Sequence, residues 1–344
     1  MGIWRSMAKG DELDWGVREL GPDQARPDLI RHEVEPNTAY LHMRLLAMRL
    51  GYGRRWSTTY HCSLSSYLRT VHYGGSHAEF IVTASPADLR GVTKETANRV
   101  VMGPLRLAGP VPYRGDDVEV EIGLFSIPAK DLAAPYLDLL ESVGRAAGIG
   151  FIGPAMSLVG PLKDGVTALV GTGLADLQVG LSRAVHPVCT GVFAALAASP
   201  EQLGDRGCVL RDTRLHWADD LTPVTDISYI VYSIETTRER GDWSSLPGLR
   251  EAYQDLIEAV RRDSVPEVKK RQAHFERVVR TSPDLLVEHA TEIVDEVSRQ
   301  VVVAMPGGGQ SQQATDLVPW DHLPVFLSAA SESANEDLLS PAAG

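Results

Sequence analysis

At 344 residues with 44% apolar and 23% charged side chains, the chain is long enough for one large or two modest cores and too apolar for wholesale disorder. A net charge of −12 and a pI near 5.3 argue against a general nucleic-acid binder, which needs a basic face to displace counterions. Cys62, Cys189 and Cys208 make no CxxC pair, which points to a reducing cytosol instead of a disulfide scaffold. Arginine far outnumbers lysine, and Ala, Gly and Val abound, a composition associated with GC-rich bacterial genomes.

Residues 1–37 are polar, carry Pro22, Pro27 and Pro36, and lack the apolar run of a signal peptide, so they read as a flexible arm. From 38 to 128 the pattern is that of an antiparallel, sandwich-like β domain. Leu41, Met43 and Leu45 alternate with His42 and Arg44. A hairpin is expected around Gly74-Gly75, a two-residue turn suited to positive φ, with His72 facing His77. Along 117–124 Val118, Val120, Ile122 and Leu124 share one face and Glu119 and Glu121 the other, which predicts one dry and one wet face.

Residues 129–235 read as a mixed segment of apolar, Gly/Pro-rich helices with added strands. Its centre, 146–162, is uncharged and interrupted by Gly153-Pro154 and Gly160-Pro161, so it must leave water. Ile149, Phe151, Ile152, Met156, Leu158 and Val159 form internal core, the favoured reading, with the glycines permitting close backbone approach; the alternatives are the apolar part of a membrane-inserting element within 146–171 and an interface to another protein. A spanning helix needs about 20 apolar residues, and Lys163-Asp164 interrupt first.

Residues 236–305 carry three helical stripes and predict a three-helix bundle. They are Leu249, Tyr253, Leu256, Val260; then Val268, Phe275, Val279; then Leu286, Ala290, Ile293, Val297, Val301. Ser282 and Pro283 are suited to the cap and first turn of the third helix. Residues 306–344 form a flexible tail with one apolar motif, 318–327, in which Trp320, Leu323 and Phe326 are the candidate anchors, either for a partner protein or for docking back onto the chain's own bundle.

Few residue groups suggest chemistry. His72, His77 and Glu79, two imidazoles and a carboxylate on one sheet face, match a facial metal triad, although the same alternation makes them a solvated face. The cysteines sit in apolar runs and read as inert thiols, no GxSxG or GK[ST] occurs, and Gly171-Thr-Gly173 begins a GxGxxG that Asp176 breaks off. Adjacent Asp219-Asp220 read as an exposed turn. Arg44, Arg49, Arg54 and Arg55 read as a solvated edge, with anion contact as the alternative. The expectation is an α+β, cytoplasmic protein-interaction or scaffold protein without cofactor or nucleic-acid partner. The alternatives are a membrane-inserting effector and a metal-dependent enzyme at His72, His77 and Glu79.

Overall fold

The computed structural model describes residues 15–51, 54–55, 58–71, 77–84, 99–100, 105–128, 164, 167, 175–238, 240, 246, 248–305 and 317–319. It is a mixed α+β protein with antiparallel sheets, and it divides into two units, residues 1–36 with 41–236 and residues 37–40 with 237–344.

The first unit is built from β1 (Gly16–Leu20), β2 (Tyr40–Arg49), β3 (Arg54–Arg55), β4 (Thr58–Val71), β5 (His77–Ala84), β6 (Arg99–Val100), β7 (Leu105–Pro112), β8 (Val118–Pro128), β9 (Asp176–Val185), β10 (Gly191–Leu196), β11 (Cys208–Arg211), β12 (Arg214–Trp217) and β13 (Tyr229–Thr237). One sheet runs β1-β10-β13-β2-β6, with β7 also paired to β2. A second runs β3-β4-β8-β9, with β5 also on β4, and β11 and β12 form a separate hairpin.

Alternation explains β8. Val118, Val120, Ile122 and Leu124 are buried, as are Leu64 and Leu68 on the same face of the adjoining β4. The other face is not uniformly wet, however. Glu121 is only 7% exposed, and it lies opposite Tyr67, itself buried. A long strand whose two faces are both covered loses the simple inside-outside reading that the period of two implies.

Two sequence-based boundaries change. The segment 129–235 is not separate from the strands before it, because β9 pairs with β8 and β13 with β2, so late strands complete sheets begun early in the chain. The arm is not flexible throughout: Gly16–Leu20 pairs with Leu196–Val192, Val34 is buried, and Glu33 bridges to Cys189. In β1 only Gly16 and Leu20 are buried, so the strand carries no alternating apolar pattern and rests on its backbone pairing with β10.

The sheet containing β1 covers one core with the β11-β12 hairpin, in which Leu20, Val192, Leu196, Leu215, Trp217 and Val231 are buried together. A short helix, α1 (Pro200–Leu203), enters beneath it through a capping box: Gln202 N–H donates to Ser199 Oγ at 3.2 Å, and Ser199 N–H donates to Gln202 Oε1 at 2.9 Å. Close approach of β7 to β2 requires glycine at 109. Its φ is +88°, and a Cβ there would sit 2.1 Å from the Leu41 carbonyl oxygen.

The second unit contains α2 (Leu249–Arg261), α3 (Val265–Arg280) and α4 (Val287–Ala304). Each predicted stripe is buried: Leu249, Tyr253, Leu256 and Val260 in α2, Val268, Phe275 and Val279 in α3, and Ala290, Ile293, Val297 and Val301 in α4. The start of α4 differs from the prediction. Ser282-Pro283 do not open it; Leu286 is the N-cap and Val287 the first helical residue. The intervening Asp284, Leu285 and Leu286 are buried, and the Leu286 N–H donates to Tyr40 Oη at 3.0 Å. That hydroxyl also makes a 2.9 Å hydrogen bond with His289 Nδ1 in the first turn. Tyr40 thus does from another part of the chain what the N3 side chain of a capping box does locally, accepting the N–H of the N-cap residue.

Candidate interaction site

The most complete polar arrangement around a sequence-predicted motif lies where the tail meets the helical unit. Burial of the α2 stripe places Tyr253 fully inside, with its ring 5.7 Å from that of Phe275, while its hydroxyl reaches outward. That hydroxyl donates to the Val318 carbonyl oxygen at 2.7 Å and lies 3.3 Å from Gln300 Oε1. Gln300 Oε1 in turn accepts the Val318 N–H at 3.3 Å. Both backbone polar groups of one tail residue are therefore held by side chains of two helices, and Leu317 beside it is 6% exposed.

The orientation of the Gln300 amide follows from its neighbour. Its Nε2 donates to Glu296 Oε1 at 2.8 Å, one helical turn back. A carboxylate can only accept, so the amide nitrogen must face Glu296 and the oxygen is left to face Val318. Arg299 pairs with the other Glu296 oxygen. Burial, then the nearby Glu296 charge, pushes the Tyr253 phenol up, so it stays a protonated donor at every physiological pH. The sequence stripe already marks Tyr253 as core, but nothing local signals that its hydroxyl or Gln300 would receive the tail.

The motif's anchors Trp320, Leu323 and Phe326 lie outside the described residues, which resume at Leu317–Pro319. So do Ile149, Phe151, Ile152, Met156, Leu158 and Val159 of the apolar segment. Among the described residues, no helix is long and apolar enough to cross a membrane.

The predicted metal triad divides. His72 lies outside the described residues, and of His77 only the backbone is described. The register departs from the two-residue turn: Val71, not His72, is opposite His77, leaving residues 72–76 between the paired positions. Glu79 is opposite Arg69, which is also opposite Glu119 on β8. The Arg69 guanidinium lies 3.8 Å from the Glu79 carboxylate and 3.3 Å from that of Glu119. Tyr67 adjoins the group, its phenol pushed up first by burial and then by a hydrogen bond to Glu79. A cation arriving at Glu79 would compete with an arginine already there. Among the described residues, no three His, Cys, Asp or Glu side chains come together in a metal-holding group.

Other predicted groups resolve into structure. Arg44 lies 3.7 Å from Glu235, and Arg49 is 9% exposed with its guanidinium 3.4 Å from the Thr225 carbonyl oxygen, so these two do not form a solvated edge. Asp219 holds Arg206 in a two-point pair at 2.9 and 3.0 Å, and Arg206 stacks 4.2 Å from the Trp217 ring centre. Asp220 accepts the Thr222 N–H at 2.9 Å, which makes the Asp pair a turn. Cys62 and Cys208 are buried, and burial pushes the Cys62 thiol up to about 12. Cys189 is only half-buried, with an Arg31 nitrogen 4.0 Å from its sulfur, contrary to the buried position its apolar run suggests. Comparison of the chain with protein-family models, with curated proteins and with solved structures found no match.

Proposed function

We propose that this chain is a non-catalytic protein-interaction or scaffold protein of a bacterial cytosol, with the tail motif 318–327 as its contact element. In this reading the two sheets act as a sandwich-like framework and the three helices as a bundle that carries the motif. The observation that supports it is the fixing of Val318 at both N–H and carbonyl by Gln300 and Tyr253. Trp320 follows two residues later, so an apolar, aromatic segment starts from a set point on the helical unit instead of trailing from a free linker. Interfaces draw most of their energy from a few such aromatic anchors.

The test is affinity capture from cytosolic extract with the full chain, compared with the double variant Trp320→Ala, Phe326→Ala and with Leu323→Ala. Ile30→Ala, at a residue 67% exposed, serves as the surface control. Proteins recovered by the wild type and the control are expected to be lost with the double variant and reduced with Leu323→Ala. Equal recovery by all four chains overturns the reading.

A further inference from the structure

We propose that the helical unit carries a peptide-binding site, formed by Tyr253 and Gln300, for an extended apolar segment of the Leu-Val-Pro type, and that the chain's own Leu317–Pro319 is its resident occupant. The tail therefore competes internally with peptides arriving from outside. This rests on the reading of the tail as the contact element, and it adds the chemistry that the receiving side recognises and the way access to it is controlled.

Three features carry the inference. First, the seat reads backbone: one residue's N–H and carbonyl are both taken, by Gln300 Oε1 at 3.3 Å and the Tyr253 hydroxyl at 2.7 Å. Two-sided capture of a single residue's main chain is how proteins receive extended peptides, because it is independent of that residue's side chain. Second, the reading groups are set before the peptide arrives. Tyr253 is fully buried beside Phe275, and Glu296 fixes which end of the Gln300 amide faces outward. Preorganised donors and acceptors lose little freedom on binding. Third, selectivity comes from the neighbours: Leu317 is buried at 6% exposure while Pro319 is exposed. A proline that follows the captured residue holds that residue in the extended region.

The connection explains why the resident occupant stays. Residues 306–316, Pro-Gly-Gly-Gly-Gln-Ser-Gln-Gln-Ala-Thr-Asp, join the end of α4 to Leu317. Covalent attachment makes the tail's binding intramolecular, so an incoming peptide succeeds only when it binds more tightly, is abundant, or meets a tail drawn away by its own partner.

The test uses a fluorescein-labelled peptide of residues 313–322, which contains Leu317–Pro319 but lacks Leu323 and Phe326, and reads anisotropy against the full chain. Two full-length variants release the resident tail: Leu317→Asp places a charge in a buried position, and Val318→Pro deletes the N–H that Gln300 accepts. Each is checked for wild-type helical circular dichroism, and Val318→Pro, which buries no charge, decides if Leu317→Asp does not fold. The released chains are expected to bind the peptide at least about tenfold more tightly than the wild type, as expected when a tethered competitor is removed. Adding Gln300→Ala to a released chain should weaken that binding severalfold. Binding by the folded Val318→Pro chain no tighter than by wild type overturns the inference, as does binding indifferent to Gln300→Ala. No cellular partner enters the assay, so its failure leaves the capture experiment with Trp320 and Phe326 to stand or fall separately.

Discussion

Two arginines, one in each unit, face carboxylates with very different consequences. Arg240 in the helical unit is 0% exposed; its guanidinium donates to the Asp284 carbonyl oxygen at 2.8 Å, lies 3.5 Å from the Asp284 carboxylate, and sits 5.9 Å from the Tyr40 ring centre. Arg69 in the sheet unit reaches Glu79 and Glu119 at 3.8 and 3.3 Å, with its side chain 31% and those of the glutamates 27% and 47% exposed. The charges are alike, and solvent makes the difference. Water screens the Arg69 group and would take over its hydrogen bonds, whereas the Arg240 guanidinium is out of its reach. A buried pair of this kind contributes little over an apolar replacement of both partners, yet the loss of either partner alone is costly.

The largest effect is therefore expected from Arg240→Met, which removes the cation and leaves the Asp284 carboxylate buried. A loss of about 3–5 kcal/mol is the usual result of breaking such a pair from one side. Chemical denaturation followed by helical circular dichroism measures it. A loss below about 1 kcal/mol would show that Asp284 is as well solvated as the Arg69 carboxylates and would erase the distinction between the two sites.

Burial orders the thiols in the same way. With its thiol pushed up to about 12, Cys62 holds almost no thiolate at pH 8, and Cys208 is pushed up by burial too. Half-buried Cys189 has Arg31 beside it. Iodoacetamide on the native protein should label Cys189 first and Cys62 last, because burial both keeps the Cys62 thiol protonated and hides it from the reagent. Peptide mapping by mass spectrometry reads the order, and early labelling of Cys62 would mean the sheet core opens far more readily than its packing implies.

Tyr40→Phe probes the polar half of the Arg240 region without touching its charge. The ring remains to pack against Arg240 and His289, but the Leu286 N–H loses its acceptor at the start of α4. Leaving a buried donor unmatched costs about 1–3 kcal/mol. Amide exchange at Leu286 should accelerate with it, and unchanged exchange would remove Tyr40 from its capping role.

Legibility from sequence follows the same division between local and distant causes. The stripes of α2, α3 and α4 and the alternation of β8 are periodic in the chain itself, so burial of Tyr253, Phe275, Ile293 or Ile122 can be read without a structure. What cannot be read is who receives whom across long separations: Leu20 opposite Val192, Tyr40 capping Leu286, or Gln300 taking Val318. Turns without glycine hide as well. The β11-β12 hairpin turns on Asp212-Thr213, both at positive φ, where the usual signal would be Asn-Gly. The candidate site was half visible for this reason. Its peptide stands out by composition, whereas its seat is an ordinary core tyrosine and a helix-surface glutamine until the fold joins them.

The smallest effect is expected at Arg69, and it is the sharpest check on the comparison because the geometry alone suggests otherwise. Arg69 is opposite a carboxylate on both neighbouring strands, an arrangement that on distance would rank with Arg240. A double-mutant cycle of Arg69→Ala with Glu119→Ala isolates the pair, and half-exposed pairs of this kind give a coupling of roughly 0.2–1 kcal/mol. Raising the salt from 0.1 to 1 M shortens the screening length from about 10 to about 3 Å and should reduce that coupling further. The same salt change should leave the Arg240→Met loss nearly unaltered, because ions do not reach a guanidinium without exposed surface. If instead the Arg69 coupling were large and salt-independent, the buried Glu121 and Tyr67 beside it would have to extend a low-dielectric region over the whole strip, and the two arginines would belong to one class.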